Sequence, residues 1–189
     1  IVDPEPLAGP STGFLGNTIV TNGKIGTYLP VTTEAVRLRL LNASNARVYN
    51  FGFDDEREFA IVGSDGGLLP QAVPATRIQL SPGERAEIVV RVAGGETVSL
   101  NSTPPVLGTG DDAQYSSGTF TVLQLRAAAT VTPSPDLAES LTQLPAADPT
   151  TAAQTRTFRV QGRAINGRPM QMARIDMDGV VVETTGATD

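Results

Sequence analysis

The sequence predicts an all-β protein, a sandwich of two sheets, on three observations. Val, Ile, Leu and Thr alternate with polar residues in short runs. Gly, Pro, Asn and Asp interrupt those runs about every ten residues, the spacing of a sandwich or barrel. The hydrophobic content of 40% is enough for a core between two sheets, and with six Phe, three Tyr and no Trp that core must be aliphatic.

Each element follows in order. Ile19-Val20-Thr21 and Lys24-Ile25 flank Asn22-Gly23, the strongest short hairpin signal because both turn residues accept positive φ. Val36-Arg37-Leu38-Arg39-Leu40 alternates apolar and charged residues, predicting a strand with one buried and one wet face. Ala43-Ser44-Asn45-Ala46 turns the chain, and Val48–Phe53 continues as a strand. Asp54-Asp55-Glu56-Arg57 is a polar turn before the short apolar strand Phe59–Val62. Arg77–Leu80 alternates again, and Ser81-Pro82-Gly83-Glu84 reads as a β-turn. Ala86–Val92 is the clearest strand. Two more are expected near Thr97–Leu100 and Thr119–Leu125, separated by a Gly/Pro/Asp-rich loop from Thr103 to Ser117.

These elements make residues 1–126 the main domain. From 127 to 155 the composition shifts to Ala, Thr, Pro and Ser, as in a linker. Within it Ser134-Pro135 followed by Leu137, Leu141 and Leu144 predicts one short helix, with Ser as cap and Pro at the first helical position. Residues 156–189 read as further strands: Arg156–Val160 alternates, Ile165-Asn166-Gly167-Arg168-Pro169 turns, and Gly179–Glu183 is apolar. This tail is too short to enclose a core by itself. Thr21-Asn22-Gly23-Lys24 and Ile165-Asn166-Gly167-Arg168 share one pattern, a hint of two related β modules.

Composition excludes several classes of function. A net charge of −6 argues against nucleic acid or an anionic membrane surface as partner. No apolar run is long enough to span a membrane. The opening Ile1-Val2-Asp3-Pro4 has neither the charged region nor the apolar stretch of a signal peptide, so the chain reads as a mature or excised piece. There is no histidine and no cysteine, which rules out a Ser-His-Asp triad and any disulfide within the chain.

Asp65-Gly66-Gly67 could bring a carboxylate to a ligand, but a tight turn in which Asp65 accepts backbone hydrogen bonds is the stronger reading. Gly63-Ser64-Asp65-Gly66-Gly67 also departs from the nucleophile elbow, whose serine lies between the glycines. Asp54, Asp55 and Glu56, and likewise Asp111 and Asp112, could bind a hard cation, yet they lack EF-hand spacing and read as solvated loop tips. Arg47 and Arg85 are expected to form salt bridges with carboxylates such as Asp65 or Glu84 rather than to bind anions. Met170, Met172 and Met177 are soft donors close in sequence, though thioethers in a strand more often pack. Asn42-Ala43-Ser44 and Asn101-Ser102-Thr103 match glycosylation sequons, which occur often by chance. The expectation is that there is no catalytic, cofactor-binding or metal-binding residue in this chain.

Four ordered blocks carry a family resemblance: Gly16–Gly23, Leu38–Arg47, Ile61–Pro70 and Pro82–Glu87. Together they resemble the middle, second domain of three-domain multicopper oxidases, nearest the bacterial copper-efflux oxidases, with bilirubin oxidases and spore-coat laccases close by. Leu137–Leu144 and Ile165–Asp176 resemble the linker and opening strands of the third domain. The resemblance implies a cupredoxin-like Greek-key β-sandwich, followed by a linker and a truncated strand segment of the next domain. It also implies a domain without copper ligands, in keeping with the missing histidines and cysteines, while copper is expected elsewhere in the parent protein. The implied partners are the parent's first and third domains. An unpaired sheet edge, left by a first strand upstream of Ile1, or the tail would invite a homo-oligomer. The implied compartment is extracytoplasmic. The methionine-rich insert of copper-efflux oxidases is absent. The parent would oxidise metal ions or phenols and reduce dioxygen to water. The alternative is a copper-less relative with the same fold, a structural protein of the cell-division type.

Overall fold

A computed structural model describes residues 15–108 and 116–143, and from the remainder 145, 147–154, 156, 159–161, 164–165, 168–169, 172–175 and 181–185. The chain divides into two compact units, Ile1–Leu144 and Pro145–Asp189.

The first unit holds nine strands: β1 Tyr28–Thr33, β2 Ala35–Leu41, β3 Tyr49–Phe53, β4 Phe59–Ser64, β5 Gly67–Ala75, β6 Arg77–Leu80, β7 Arg85–Arg91, β8 Thr97–Thr103 and β9 Phe120–Thr132. They form a five-stranded sheet, ordered β1-β9-β8-β3-β6, and a four-stranded sheet, ordered β2-β7-β4-β5. Successive strands pass back and forth between the sheets, so sequence neighbours are seldom sheet neighbours. All pairings are antiparallel except β1 with β9, which runs parallel from Tyr28↔Gln124 to Val31↔Ala127 before a register shift.

Alternation decides which face is buried. In β7, Ala86, Ile88 and Val90 point inward and Arg85 and Arg91 outward; in β8, Val98, Leu100 and Ser102 are buried. Ala86, Ile88, Val90, Val98 and Leu100 join Phe51, Phe53, Phe59, Leu38, Leu80 and Leu125 in one core between the sheets. Tyr49 stacks on Phe51 at 5.2 Å and Phe53 meets Phe59 edge-on at 5.9 Å. With few aromatic rings, aliphatic side chains fill the remainder by close packing.

The Asn22-Gly23 turn forms as expected. Both residues have positive φ, 50° and 79°, and Thr21 and Lys24 exchange main-chain hydrogen bonds of 2.8 and 3.1 Å. Its arms do not extend into strands; the pair remains a single bridge. Its anchor is tertiary instead, a 2.7 Å bond from the Thr21 hydroxyl to the Val122 carbonyl of β9.

Two strands lie beyond the expected ones, and two expectations need correction. Tyr28–Thr33 and Gly67–Ala75 are strands, although Pro30, Pro70 and Pro74 interrupt their sequence pattern. Both lie at sheet edges, where a missing N–H breaks no ladder. The helix expected from Ser134 to Leu144 does not form over residues 133–143. Ser134, its intended cap, accepts instead from the Ala35 N–H through its hydroxyl and donates its own N–H to Glu34. Arg91 bonds the Pro135 carbonyl and Asp136, and the Leu141 N–H reaches the Pro70 carbonyl. The boundary expected after residue 126 falls inside β9, which continues to Thr132.

The second unit contains β10 Val160–Gln161, β11 Ala164–Ile165 and β12 Arg168–Pro169 in one small antiparallel sheet, and β13 Met172–Ile175 with β14 Val181–Thr185 in another. Ile165 pairs with Arg168 and Ala164 with Pro169, while positions 166 and 167 of the expected turn lie outside the described residues. A short 3₁₀ turn, Pro149–Thr151, is capped by Asp148, whose carboxylate accepts from the Thr150 N–H.

Candidate functional site

The four sequence blocks meet at one end of the sandwich. Asn42 leaves β2 and is fully buried. Its Nδ2 donates to the main-chain carbonyls of Arg47 (2.7 Å) and Leu80 (2.8 Å). Its Oδ1 accepts from the Ser44 N–H (3.0 Å) and the Ser44 hydroxyl (2.6 Å). Two donors and two acceptor positions are thus taken, the whole capacity of a carboxamide. The Asn42 main chain also bonds the turn that follows β6: Asn42 N–H donates to the Glu84 carbonyl and Gly83 N–H to the Asn42 carbonyl.

Arg47 is buried beside it, 3% exposed. Its guanidinium donates to the Ser116 hydroxyl at 2.8 Å and to the Gly16 carbonyl, and lies 4.6 Å over the Phe120 ring. Among the described residues the expected salt bridge does not form at Arg47: its partners there are carbonyl and hydroxyl dipoles and a π face. Burial pushes this guanidinium below its ordinary value, and Tyr49, raised chiefly by its own burial, opposes that shift. Arg85 behaves as expected. It approaches the Asp65 carboxylate at 3.3 Å, while Asp65 accepts from the Arg85 N–H at 3.0 Å. Asp65 and Gly66 make the turn between β4 and β5, and Gly67 supplies the positive φ of 114°. Gly16, Asn42–Arg47, Asp65–Gly67 and Ser81–Arg85 are therefore successive links of one polar corner.

The acidic turn is consumed by arginines. Arg57 donates to both oxygens of Asp55 and also contacts Glu96. Arg77 contacts Glu56 at 3.0 Å, and Asp54 accepts from the Ser99 N–H. Hydrogen bonding to Arg57 holds both Asp55 and Glu96 below the ordinary carboxylate range and raises Arg57 itself. Among the described residues no three carboxylates converge on a point where a cation could sit. Asp111, Asp112, Met170 and Met177 lie outside the described residues, as does the side chain of Met172. Asn42 is sealed in the core, so the first sequon presents no free carboxamide, and Asn101 is half-buried with its Oδ1 buried and unpartnered.

One cleft was not foreseen from the sequence. About 790 Å³ opens along β2, between its inward residues Leu38 and Leu40 and the facing Leu29, Tyr49, Phe51 and Leu123. Its titratable lining is Arg37, Arg39, Tyr28 and Tyr49, with no carboxylate, so it offers no acid–base pair. The alternation of β2 marks Leu38 and Leu40 as inward but marks no cleft.

No family model matches the chain. Among curated proteins it is similar to the cell division protein FtsP of Sodalis glossinidius, 43% identical over 100 residues, and to that of Rahnella sp., 47% identical over 92 residues. These matches cover 52% and 49% of this chain but 21% and 20% of the relatives, so the chain spans about a fifth of their length. Among solved structures it is similar to the McoA multicopper oxidase of Aquifex aeolicus, with a TM-score of 0.68 at 26% identity, over 89% of this chain and 37% of that one. A multicopper oxidase of Pediococcus acidilactici gives 0.65 at 30% identity over 87% and 33%. The sandwich is thus cupredoxin-like, related in structure to multicopper oxidases, while its curated sequence relatives are division proteins.

Proposed function

We propose that this chain is a copper-free, cupredoxin-like scaffold domain of a cell-division protein acting outside the cytoplasm. The observation that carries the reading is the sequence similarity to the division proteins, 43 and 47% identity over about half of this chain, beside 26 and 30% to oxidases of the same fold over most of it. The residue chemistry supports it. The chain offers neither imidazole nor thiolate, the donors that suit copper in such folds. The polar groups at the corner where the sequence blocks meet are engaged with one another: Asn42 is saturated, and Arg47 and Arg85 are spent on protein partners. Such a corner fixes the strand ends of a rigid sandwich and leaves its surface for neighbours.

A second reading, the spacer domain of an active multicopper oxidase, is favoured by the TM-scores of 0.65 and 0.68 to oxidases. The experiment that separates the two takes the complete gene product. Copper is measured by elemental analysis and oxygen uptake with phenolic and cuprous substrates, and a fluorescent fusion is followed in dividing cells. The scaffold reading expects no stoichiometric copper, no uptake and accumulation at the division site. Copper-dependent oxygen uptake without that localisation would establish the oxidase instead.

A further inference from the structure

We propose that residues 133–143 form a releasable strap, latched on Arg91, that sets where the chain leaves the first unit. β9 ends at Thr132, whose carbonyl accepts from the Glu34 N–H just before β2. The Ser134 N–H then donates to the Glu34 carboxylate at 3.2 Å, and the Ser134 hydroxyl accepts from the Ala35 N–H at 3.1 Å. Arg91, at the end of β7, donates to the Pro135 carbonyl at 3.1 Å and to Asp136 at 2.7 Å. Last, the Leu141 N–H donates to the Pro70 carbonyl of β5 at 2.8 Å. In the sheet order β2-β7-β4-β5 these contacts run from the β2 side to the β5 side. Three strand spacings, about 14 Å, separate the two sides.

What holds the strap is polar. None of residues 133–143 is buried, and only Ser134, Leu141 and Thr142 are half-buried. Apolar burial, the main term that offsets the entropy of ordering a chain, is therefore small here. Its place is taken by hydrogen bonds and ion pairs at the surface, each weak and screened by salt. They converge on one side chain. Arg91 pairs with Glu34 at 3.1 Å as well as with Asp136, so it steadies the carboxylate that receives Ser134 and holds Pro135 directly. Arg91 points outward from β7, so its loss empties no place in the core. A segment held in this way opens without unfolding the sandwich. Docked, the chain departs beside Pro70. Released, it departs at Thr132, and the eleven residues 133–143 add up to about 36 Å of reach. The device stands on this sandwich alone, whichever protein carries it.

The test is amide hydrogen exchange by NMR on the whole chain. Its reporters are the Ser134 and Leu141 N–H groups, whose acceptors are Glu34 and Pro70 rather than Arg91. Both should exchange faster, and together, as salt rises, while core amides of β7 and β8 keep their protection. Arg91→Met should speed both by at least roughly tenfold and abolish the salt response, with Arg91→Lys between it and the parent chain. Leu141→Pro deletes the β5 contact alone and should also speed exchange at Ser134, because the strap opens as one unit. The protected core amides show in each variant that the sandwich is intact. A Leu141 N–H that is unprotected in the parent chain, or that keeps its protection in Arg91→Met, overturns the proposal. So does exchange indifferent to salt, or loss of strap and core protection in parallel, because the segment then opens only when the whole unit unfolds.

Discussion

The Nδ2 of Asn42 donates to the main-chain carbonyl of Arg47 at 2.7 Å, so the residue leaving β2 fixes the backbone of the residue that enters β3. Through that bond the buried carboxamide also sets the position of a buried guanidinium. The polar corner is a single unit, and removing one member leaves the others unpaired in an apolar setting.

The first prediction concerns this unit. Asn42→Ala strands the Leu80 carbonyl and the Ser44 N–H and leaves the Arg47 carbonyl only the Ser44 hydroxyl, so it should destabilise the chain by about 2–3 kcal/mol, since each buried orphan costs about 1 kcal/mol or more. Ser44→Ala removes one hydroxyl and leaves the two carbonyl bonds intact, so about 1 kcal/mol is expected. Urea unfolding of both variants checks the ratio. Equal losses would show that Asn42 is not the hub.

Arg47 carries the second. Its planar fork reaches the Gly16 carbonyl and the Ser116 hydroxyl together while its face covers Phe120. A lysine cannot span the two acceptors or stack in the same way. Arg47→Lys should therefore cost about 2 kcal/mol by thermal or urea unfolding, despite keeping the charge. Full stability in the lysine variant would mean that charge alone matters there.

Much of this fold was legible in the sequence, and the failures have definite causes. β2 and β7 were read because each has one wet face and one dry face, and burial is what alternation reports. β1 and β5 were missed because Pro30, Pro70 and Pro74 argue against strands in general but not against edge strands, and edge position is a tertiary fact. The Ser134 helix failed for the reverse reason: local cap chemistry was right, but Ala35, Glu34 and Arg91 compete for the same polar groups. The Asp65–Arg85 pair could be proposed from the two motif blocks. Arg47 could not, because its partners are main-chain carbonyls and serines spread from Gly16 to Ser117, and sequence pattern does not mark those. The cleft along β2 was illegible for the same reason, being made by two sheets rather than by a motif.

Glycine positions give a third prediction with an internal control. A Cβ at Gly94 would lie 2.5 Å from the Ala129 carbonyl oxygen of β9, and backbone cannot move aside as a side chain does. Gly94→Ala should cost about 2 kcal/mol or more. Gly66 has nothing within 4 Å and no left-handed φ, so Gly66→Ala should fall within about 0.5 kcal/mol of the parent chain. Gly67→Ala in the same turn should cost about 1–2 kcal/mol, because φ there is 114°. Denaturation midpoints of the three variants rank them.

The last prediction is a pH dependence with its origin assigned. Asp55 and Glu96 both titrate lower in the fold than their ordinary values of 3.8 and 4.5, chiefly through hydrogen bonds from Arg57. A depressed folded pKa means that the unfolded chain binds protons more readily, so these groups stabilise the fold fully above their ordinary values. That contribution disappears as pH falls through those values and on through the lower, folded ones. Unfolding free energy should therefore be flat from neutral pH to about pH 5 and fall below it. Arg57→Met removes the shared partner. The variant should lose about 1 kcal/mol at neutral pH, a modest figure because these groups are part-exposed, and show a shallower acid limb. The comparison is made by urea unfolding at a series of pH values. An acid limb of unchanged slope in the variant would place the proton-linked stability elsewhere in the sandwich.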